Sequence, residues 1–247
     1  MRAALARLKS GTEKLNYGRG IVAGMAARHA ADLGADPLRV LDLGLGSGAD
    51  LENVRAKLGQ RTLELFGVDS YEPNVQAGRE RGVEVFSLDI EREPLPFRDA
   101  SLHLVVANQV LEHTKEIFWI ASEAARVLYP GGAFLVGVPN LASLHSRGML
   151  ALGMQPSPID VLGPHVRGFV KGGFRDFIEE GGFFRVLEVK GSNFYPFPEI
   201  LARPLARVLP GLAVSLFFRC RRTERPGRFI QVLDARSFET PFFKGRD

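Results

Sequence analysis

The amino-acid sequence predicts an α/β fold in which helices cover both faces of a doubly wound, mostly parallel sheet of seven strands. Two observations support this prediction. Short apolar runs alternate with segments of helical pattern, as they do in βαβ units, whose strands are parallel. The first apolar run also leads directly into a glycine-rich loop, which is typical of the start of a nucleotide-binding unit.

Seven apolar runs are the predicted strands: Arg39–Leu43, Leu63–Val68, Val83–Ser87, Leu102–Ala107, Gly132–Val138, Phe184–Val189 and Ala213–Cys220. Five segments between them have a helical pattern: Asp50–Leu58, Glu72–Arg81, Lys115–Leu128, Gly172–Glu180 and Pro198–Leu209. Two stretches, 141–170 and 223–247, show no regular period. A loop as long as the first of these is often a lid or a binding segment.

Composition places the chain among ordinary globular proteins. Hydrophobic residues make up 45% of it and charged residues 24%, and the formal net charge is +4; such a chain can bury a large core. The single cysteine, Cys220, excludes an intrachain disulfide, and no apolar run reaches the roughly 18 residues of a membrane-spanning helix. We therefore expect a cytoplasmic protein whose cysteine lies in the core.

A basic cluster lies near the carboxyl end of the sequence, at Arg219, Arg221, Arg222, Arg225 and Arg228. Such a cluster can bind phosphates or anionic lipid headgroups. The interpretation that we favour is a basic tail surrounded by solvent.

The most informative segment is Asp42–Gly48, where a buried strand leads into a loop with three glycines and then into a helix. Glycine allows positive φ and close approach of the backbone to a ligand, and the N–H groups of the helix can bind an anionic group. A tight turn without a ligand would have the same glycines. The succession of strand, loop and helix favours a nucleotide-type ligand, and Gly44, Gly46 and Ala49 also match the dinucleotide fingerprint.

Two carboxylates follow the next two strands. Asp69 comes about twenty residues after the loop, where a carboxylate can accept hydrogen bonds from ribose hydroxyls. Its alternative role is a helix N-cap before Pro73, which Ser70 would also fill. Asp89, beside Ile90, would accept from an adenine amino group, or else it is a surface turn residue.

Four stretches together resemble the class I S-adenosylmethionine-dependent methyltransferases, specifically the large family related to the ubiquinone-biosynthesis methyltransferases. They are VLDLGLGSG (Val40–Gly48), GVDS (Gly67–Ser70), DIEREPLPFRDASLHLVVANQVLEH (Asp89–His113) and ARVLYPGGAFLVGVPN (Ala125–Asn140). The resemblance covers residues 38–140 well and extends weakly to 213–220. It departs at Leu102-His103, where the family usually has Phe-Asp. It implies a Rossmann-like sheet with an antiparallel last strand.

The resemblance also implies that the cofactor is S-adenosyl-L-methionine. Gly44, Gly46 and Gly48 would line its methionine part, and Asp42 would help to hold its amino group.

Further roles follow for residues after the second and third strands. Asp69, with Ser70 beside it, would bind the ribose hydroxyls. Asp89 would meet the adenine amino group, with the backbone of Ile90 nearby.

The resemblance places three more residues around the reacting atoms. Asn108 and Gln109, after the fourth strand, would face the sulfonium and its methyl group. Tyr17 belongs to an amino-terminal segment that often closes over the cofactor in this family, and Arg19 lies in the same segment.

Candidate bases for the acceptor are His145 and His165. Each has an arginine two residues further on, Arg147 and Arg167. This doubled pattern suits an acidic or phosphate-bearing acceptor with one histidine as the base. Solvent-exposed loop polarity is the alternative.

Metal ligands are not predicted. The histidines are spread out along the sequence and the cysteine stands alone, so we expect metal-independent transfer. His113, which belongs to the family motif, is expected to be structural.

The apolar segment Phe194–Phe218 carries Arg203 and Arg207 on its predicted helix. Such a segment can lie on a membrane surface and reach a lipid-linked acceptor. We favour the simpler interpretation, a helix that packs on the core before the last strand.

The sequence therefore predicts O-methylation of a small-molecule, saccharide or lipid-linked acceptor. An NAD(P)-dependent oxidoreductase and a non-catalytic cofactor-binding protein are the alternatives. No nucleic-acid partner is expected, because the sequence has no Asn/Asp-Pro-Pro-Tyr/Phe element and no added RNA-binding module. The expected organisation is a helical cap over 1–35, a methyltransferase domain over 36–222 with a substrate-side insertion at 141–170, and a tail over 223–247.

Overall fold

The computed structural model describes residues 18–245. Its strands are β1 (Leu38–Leu43), β2 (Leu63–Asp69), β3 (Glu84–Ser87), β4 (Leu102–Asn108), β5 (Leu128–Pro139), β6 (Phe184–Ser192) and β7 (Ser215–Arg222). They form one sheet in the order β3-β2-β1-β4-β5-β7-β6. Strands β1 to β5 pair in parallel, and β7 lies antiparallel between β5 and β6. The predicted mixed sheet with an antiparallel last strand is confirmed.

The helices are α1 (Arg19–Leu33), α2 (Ala49–Leu58), α3 (Glu72–Glu80), α4 (Ile117–Val127), α5 (Leu144–Ala151), α6 (Lys171–Glu179) and α7 (Glu199–Val208). Five of them coincide with predicted helical segments. Helix α5 lies where the sequence shows no period, because its eight residues include Gly148 and bury only Ser146. The side chain of Ser143 starts this helix by accepting a hydrogen bond from the Ser146 N–H. No helix in the described part of the chain is long and apolar enough to span a membrane.

Both faces of the sheet are buried. Successive side chains of a strand point to opposite faces, and in β1 the adjacent residues Val40 and Leu41 belong to two different apolar clusters. Helices α1, α2 and α3 cover the Val40 face, whereas α4 and α6 cover the Leu41 face. Burial on both sides explains why the strands read as nearly continuous apolar runs.

The carboxyl-terminal segment packs on the domain. Phe229, Ile230 and Leu233 are buried. Further along the chain, the ring of Phe243 lies 5.0 Å from that of Trp119, edge to face. Residues 223–245 therefore extend the core around α4, although their sequence shows no period.

The interpretation as a solvated tail is wrong for Arg222 and Arg219, which are buried and half-buried, whereas the other three arginines of the cluster are exposed. Arg222 is buried and donates to the Ala125 carbonyl at 2.8 Å. Arg228 pairs with Glu123 at 2.9 Å, and Arg219 pairs with Glu188 at 3.2 Å. The expectation for Cys220 is confirmed, since its side chain is completely buried in β7.

The buried tail leads to a prediction about stability. Replacing Phe229 by alanine should lower the free energy of unfolding by about 3–5 kcal/mol, because it leaves a cavity among buried aromatic rings. Phe238→Ala is the matched control, since Phe238 is 42% exposed; its effect should stay below about 1 kcal/mol. Urea denaturation measures both changes. Equal effects would contradict the packing of this segment on the core.

Candidate functional site

The glycine loop lies where the carboxyl ends of the parallel strands meet, which is the usual ligand site of such sheets. Gly44, Gly46 and Gly48 have φ values of 66°, 53° and 76°. L-residues with side chains rarely adopt this left-handed region. The space is also restricted at the first glycine, because a Cβ atom on Gly44 would lie 2.9 Å from Cγ2 of Val110. The expected positive φ of the loop is confirmed.

Leu45 anchors the loop between two exposed or half-buried glycines. Its side chain packs over Gly67 in β2 and Gly78 in α3, so closely that a Cβ atom on either glycine would lie within 2.8 Å of it. The loop backbone is thereby fixed to β2 while Gly44 stays open to solvent.

Three carboxylates surround this loop. Asp42, at the end of β1, is 2% exposed, and its Oδ2 has no hydrogen-bond partner among residues 18–245. Burial raises the pKa of Asp42 well above its usual range, and the nearby charges of Asp50 and Asp69 raise it further, whereas Arg19 acts against them. Three acidic side chains therefore lie together beside the loop, and the raised pKa of Asp42 favours its neutral form there.

Asp50, in the first turn of α2, is a site residue that sequence reasoning missed. Its Oδ1 accepts a hydrogen bond from Asn108 Nδ2 at 3.0 Å, and its Oδ2 lies 3.7 Å from Arg19 Nε. Burial raises the pKa of Asp50, although Asn108 and Arg19 lower it in part. The signal in the sequence was an acidic residue directly after the glycine loop, where the helix N-terminus attracts negative charge.

Asp69 ties the loop to the end of β2. Its Oδ2 accepts from the Gly46 N–H at 2.9 Å and from Asn74 at 3.0 Å, and its Oδ1 accepts from the Tyr71 N–H at 2.9 Å. The carboxylate thus bonds to the backbone at the start of α3, while the neighbouring Ser70 is exposed. Binding of ribose by Asp69 stays a prediction.

Asp89 and Ile90 follow β3 on the same edge of the sheet. Oδ1 of Asp89 accepts from the Glu91 N–H at 2.9 Å, which is the turn arrangement given as its alternative role. Ile90 is half-buried and packs against the core. Their contact with an adenine ring stays a prediction.

Asn108 is the last residue of β4 and Gln109 follows it, beside the loop. Gln109 has a φ of 59°, which is uncommon for a residue with a side chain and which costs about 1–3 kcal/mol. Its N–H donates to the Gly137 carbonyl at 2.8 Å. Its Nε2 atom is buried and lacks a hydrogen-bond partner in the described part of the chain. Such strain is typical of functional positions, so these two residues remain candidates to face the sulfonium. Tyr17, the remaining candidate for this pocket, lies outside the described residues.

The two predicted bases have different surroundings. His145, in α5, meets the ring of Tyr195 edge to face at 4.7 Å. His165 lies 4.7 Å from the ring of His113, which sequence reasoning took as structural. The arginines of the doubled pattern both donate to backbone carbonyls, Arg147 to Ala142 at 2.9 Å and Arg167 to Lys115 at 3.1 Å.

Glu112 joins this pair of histidines. One ligand atom each from Glu112, His113 and His165 lies within 4.8 Å of the others. His113 and His165 are far apart in the sequence, but the insertion folds back onto the end of β4 and brings them together, which the expectation of no metal ligands did not foresee. Burial raises the pKa of Glu112 to about 7. No local pattern in the sequence indicates this contact, because it joins segments far apart in the chain.

Known proteins share this site region. Residues 41–136 match the family model described as a methyltransferase domain. The chain is 38% identical over 101 residues to a probable S-adenosylmethionine-dependent methyltransferase of Mycolicibacterium smegmatis, covering 41% of this chain and 38% of that protein. It is 28% identical over 138 residues to a ubiquinone biosynthesis O-methyltransferase of Chelativorans sp., covering 51% and 53%. The chain thus spans about half or less of the length of these relatives.

A solved structure extends the similarity to most of the fold. An S-adenosylmethionine-dependent methyltransferase from Archaeoglobus fulgidus superimposes with a TM-score of 0.56 at 18% identity, covering 83% of this chain and 94% of that one. Residues 41–136 are therefore a methyltransferase domain. They are similar to S-adenosylmethionine-dependent methyltransferases, whose cofactor is S-adenosyl-L-methionine.

The buried Asp42 carboxyl predicts a dependence of stability on pH. Its folded-state pKa is raised, so the native chain keeps a proton that the unfolded chain releases, and stability falls as pH rises above the ordinary pKa of an aspartate, about 4. Asp42→Asn removes this loss. We expect the variant to gain about 1–3 kcal/mol over the wild type near pH 7.5, and less near pH 5.

Urea denaturation at both pH values measures this difference. Asp176→Asn is the matched control, because Asp176 is exposed on α6, and it should leave the pH dependence as it is. An Asp42→Asn variant whose stability relative to wild type does not grow with pH would contradict the assignment.

Proposed function

We propose that this protein transfers the methyl group of S-adenosyl-L-methionine to an oxygen atom of a small-molecule, saccharide or lipid-linked acceptor. The observation that carries the proposal is the convergence of Asp42, Asp50 and Asp69 on the glycine loop. The matched domain supports it independently.

The charge of the pocket favours this cofactor over a dinucleotide. S-adenosyl-L-methionine brings an ammonium and a sulfonium, and nearby carboxylates stabilise both cations. A dinucleotide would place its anionic pyrophosphate at the same loop. The carboxylates of Asp50 and Asp69 beside the loop would repel that pyrophosphate. The oxidoreductase alternative is disfavoured for this reason.

Different residues of the pocket would bind different parts of S-adenosyl-L-methionine. Gly44, Gly46 and Gly48 would line the methionine part, with Asp42 holding the amino group, as the family resemblance implies. The conformation of the loop fits this role, because its glycine backbone is fixed by Leu45 and Asp69 and is partly open to solvent.

A second set of residues would hold the nucleoside and the reacting centre. Asp69 would take the ribose hydroxyls, and Asp89 with Ile90 would take the adenine. Asn108 and Gln109 would face the sulfonium from the end of β4.

The cofactor supplies an activated methyl group whose leaving sulfur is neutral. The protein must align the acceptor oxygen with this group, exclude water and provide a base for the hydroxyl proton. His145 and His165, on the insertion, are the candidates for that base. The insertion meets the end of β4 directly, since the Val166 N–H donates to the Glu112 carbonyl at 2.9 Å.

Exposed apolar side chains favour a lipid-linked acceptor within this class. Leu162 on the insertion is 94% exposed and Ile200 on α7 is 81% exposed. Only one side of α7 packs on the core, through Ala202 and Ala206. Apolar residues left on the outside of a helix that also carries basic residues are typical of contact with a membrane surface.

A labelled-methyl assay tests the proposal. The full chain is incubated with S-adenosyl-L-methionine labelled on its methyl group and with a total lipid extract or, separately, a pool of free oligosaccharides. We expect label in the lipid product. His145→Ala and His165→Ala are made singly, and loss of the base should lower turnover by about 10²–10⁴-fold while cofactor binding stays intact.

Two results would count against the proposal. If neither the lipid extract nor the oligosaccharide pool becomes labelled, the proposed class of acceptor is wrong. Full turnover in both histidine variants would show that neither residue is the base.

A further inference from the structure

We propose that Glu112, His113 and His165 form a binding site for a divalent transition-metal ion of the Zn²⁺ class. One ligand atom from each of the three residues lies within 4.8 Å of the other two. The histidine rings are 4.7 Å apart between centroids and inclined at 72°. Two imidazole nitrogens and one carboxylate are a ligand set that Zn²⁺ uses in proteins.

Glu112 supplies the strongest indication of a ligand. The residue is 1% exposed, and apart from its own backbone N–H neither of its carboxylate oxygens has a hydrogen-bond partner within residues 18–245. Buried carboxylates are normally paired or bound to a metal, because a buried charge without a partner is strongly destabilising. A cation between Glu112 and the two histidines would satisfy this carboxylate.

Both histidines contact backbone carbonyl oxygens through Nδ1. Nδ1 of His165 lies 2.9 Å from the Pro158 carbonyl, and Nδ1 of His113 lies 3.4 Å from the Pro164 carbonyl. A carbonyl oxygen only accepts hydrogen bonds, so each Nδ1 carries the proton and each Nε2 keeps its lone pair. Backbone carbonyls fix the tautomer of metal-binding histidines in the same way.

The backbone holds the two ligand-bearing segments together. The N–H groups of Val166 and Arg167 donate to the Glu112 carbonyl at 2.9 and 3.3 Å. Glu112 and His113 themselves belong to a short 3₁₀ turn, Leu111–His113, at the end of β4. The fold thus brings the three side chains to one place, where small side-chain rotations would complete the coordination of an ion.

The ligand types determine which ions would bind. Imidazole nitrogens suit Zn²⁺ and Co²⁺, whereas Mg²⁺ takes oxygen ligands. Three protein ligands leave at least one coordination position for water or for an oxygen of the acceptor. Glu112 follows two residues after Val110, which packs against Gly44, so the site lies beside the cofactor loop.

Two consequences follow for the proposed reaction. The site replaces the expectation of metal-independent transfer, and it makes His165 a ligand, which leaves His145 as the candidate base. Any part of the ion in holding the acceptor oxygen rests on the proposed function. Metal binding itself does not.

Calorimetry with ZnCl₂ on the full chain, after treatment with EDTA, tests the site. We expect one Zn²⁺ per chain with a dissociation constant below about 10 µM, and no comparable binding of Mg²⁺. Glu112→Gln and His165→Ala should each weaken Zn²⁺ binding by at least ~100-fold, since loss of a ligand should match or exceed the effect of losing an outer-shell partner. His145→Ala, on the same insertion, is the matched control and should bind Zn²⁺ as the wild type does.

Circular dichroism and thermal melting in EDTA check that the variants fold. Glu112→Gln keeps the size of the side chain and removes no hydrogen bond to other described residues, so it carries the test even where His165→Ala does not fold. Absence of Zn²⁺ binding in the wild type, or wild-type affinity in folded Glu112→Gln, would overturn the proposal. These measurements contain no S-adenosyl-L-methionine, so a negative result leaves the proposed methyl transfer standing.

Discussion

The packing of three carboxylates around one glycine loop is the constraint on which the cofactor side of the molecule depends. Asp42 is buried at the end of β1, Asp69 binds the Gly46 N–H from the end of β2, and Asp50 is held by Asn108 from the end of β4. Parallel strands bring all three to one edge of the sheet. Burying acidic groups together destabilises the folded chain when no ligand is bound. Binding of a cationic ligand therefore stabilises the folded chain.

The acceptor side of the site is formed by other segments of the chain than those that form the cofactor side. The insertion at 141–170 folds back to the end of β4 and brings His165 to Glu112 and His113, while α5 carries His145 to Tyr195. The cofactor side matches known methyltransferases over 41–136, and the insertion lies outside that match. This division agrees with the general rule that such folds keep the cofactor site and vary the acceptor site.

Sequence reasoning succeeded where a pattern is local. Buried strands such as β1 are continuous apolar runs, and Gly44, Gly46 and Gly48 mark positive φ because few other residues tolerate it. Prediction from the sequence failed where tertiary contacts determine the local structure. The eight residues of α5 show no apolar period, the Phe229 segment is recognisable only against α4, and the meeting of His165 with Glu112 depends on how a long loop folds.

The central claim is that the acidic loop binds an adenosyl sulfonium and rejects a dinucleotide. Isothermal titration calorimetry of the purified chain with S-adenosyl-L-methionine and, in parallel, with NAD⁺ and NADP⁺ tests it most directly. We expect one saturable site for S-adenosyl-L-methionine and no heat of binding with either dinucleotide. Saturable binding of NAD⁺ or NADP⁺, or the absence of any heat with S-adenosyl-L-methionine, would contradict it.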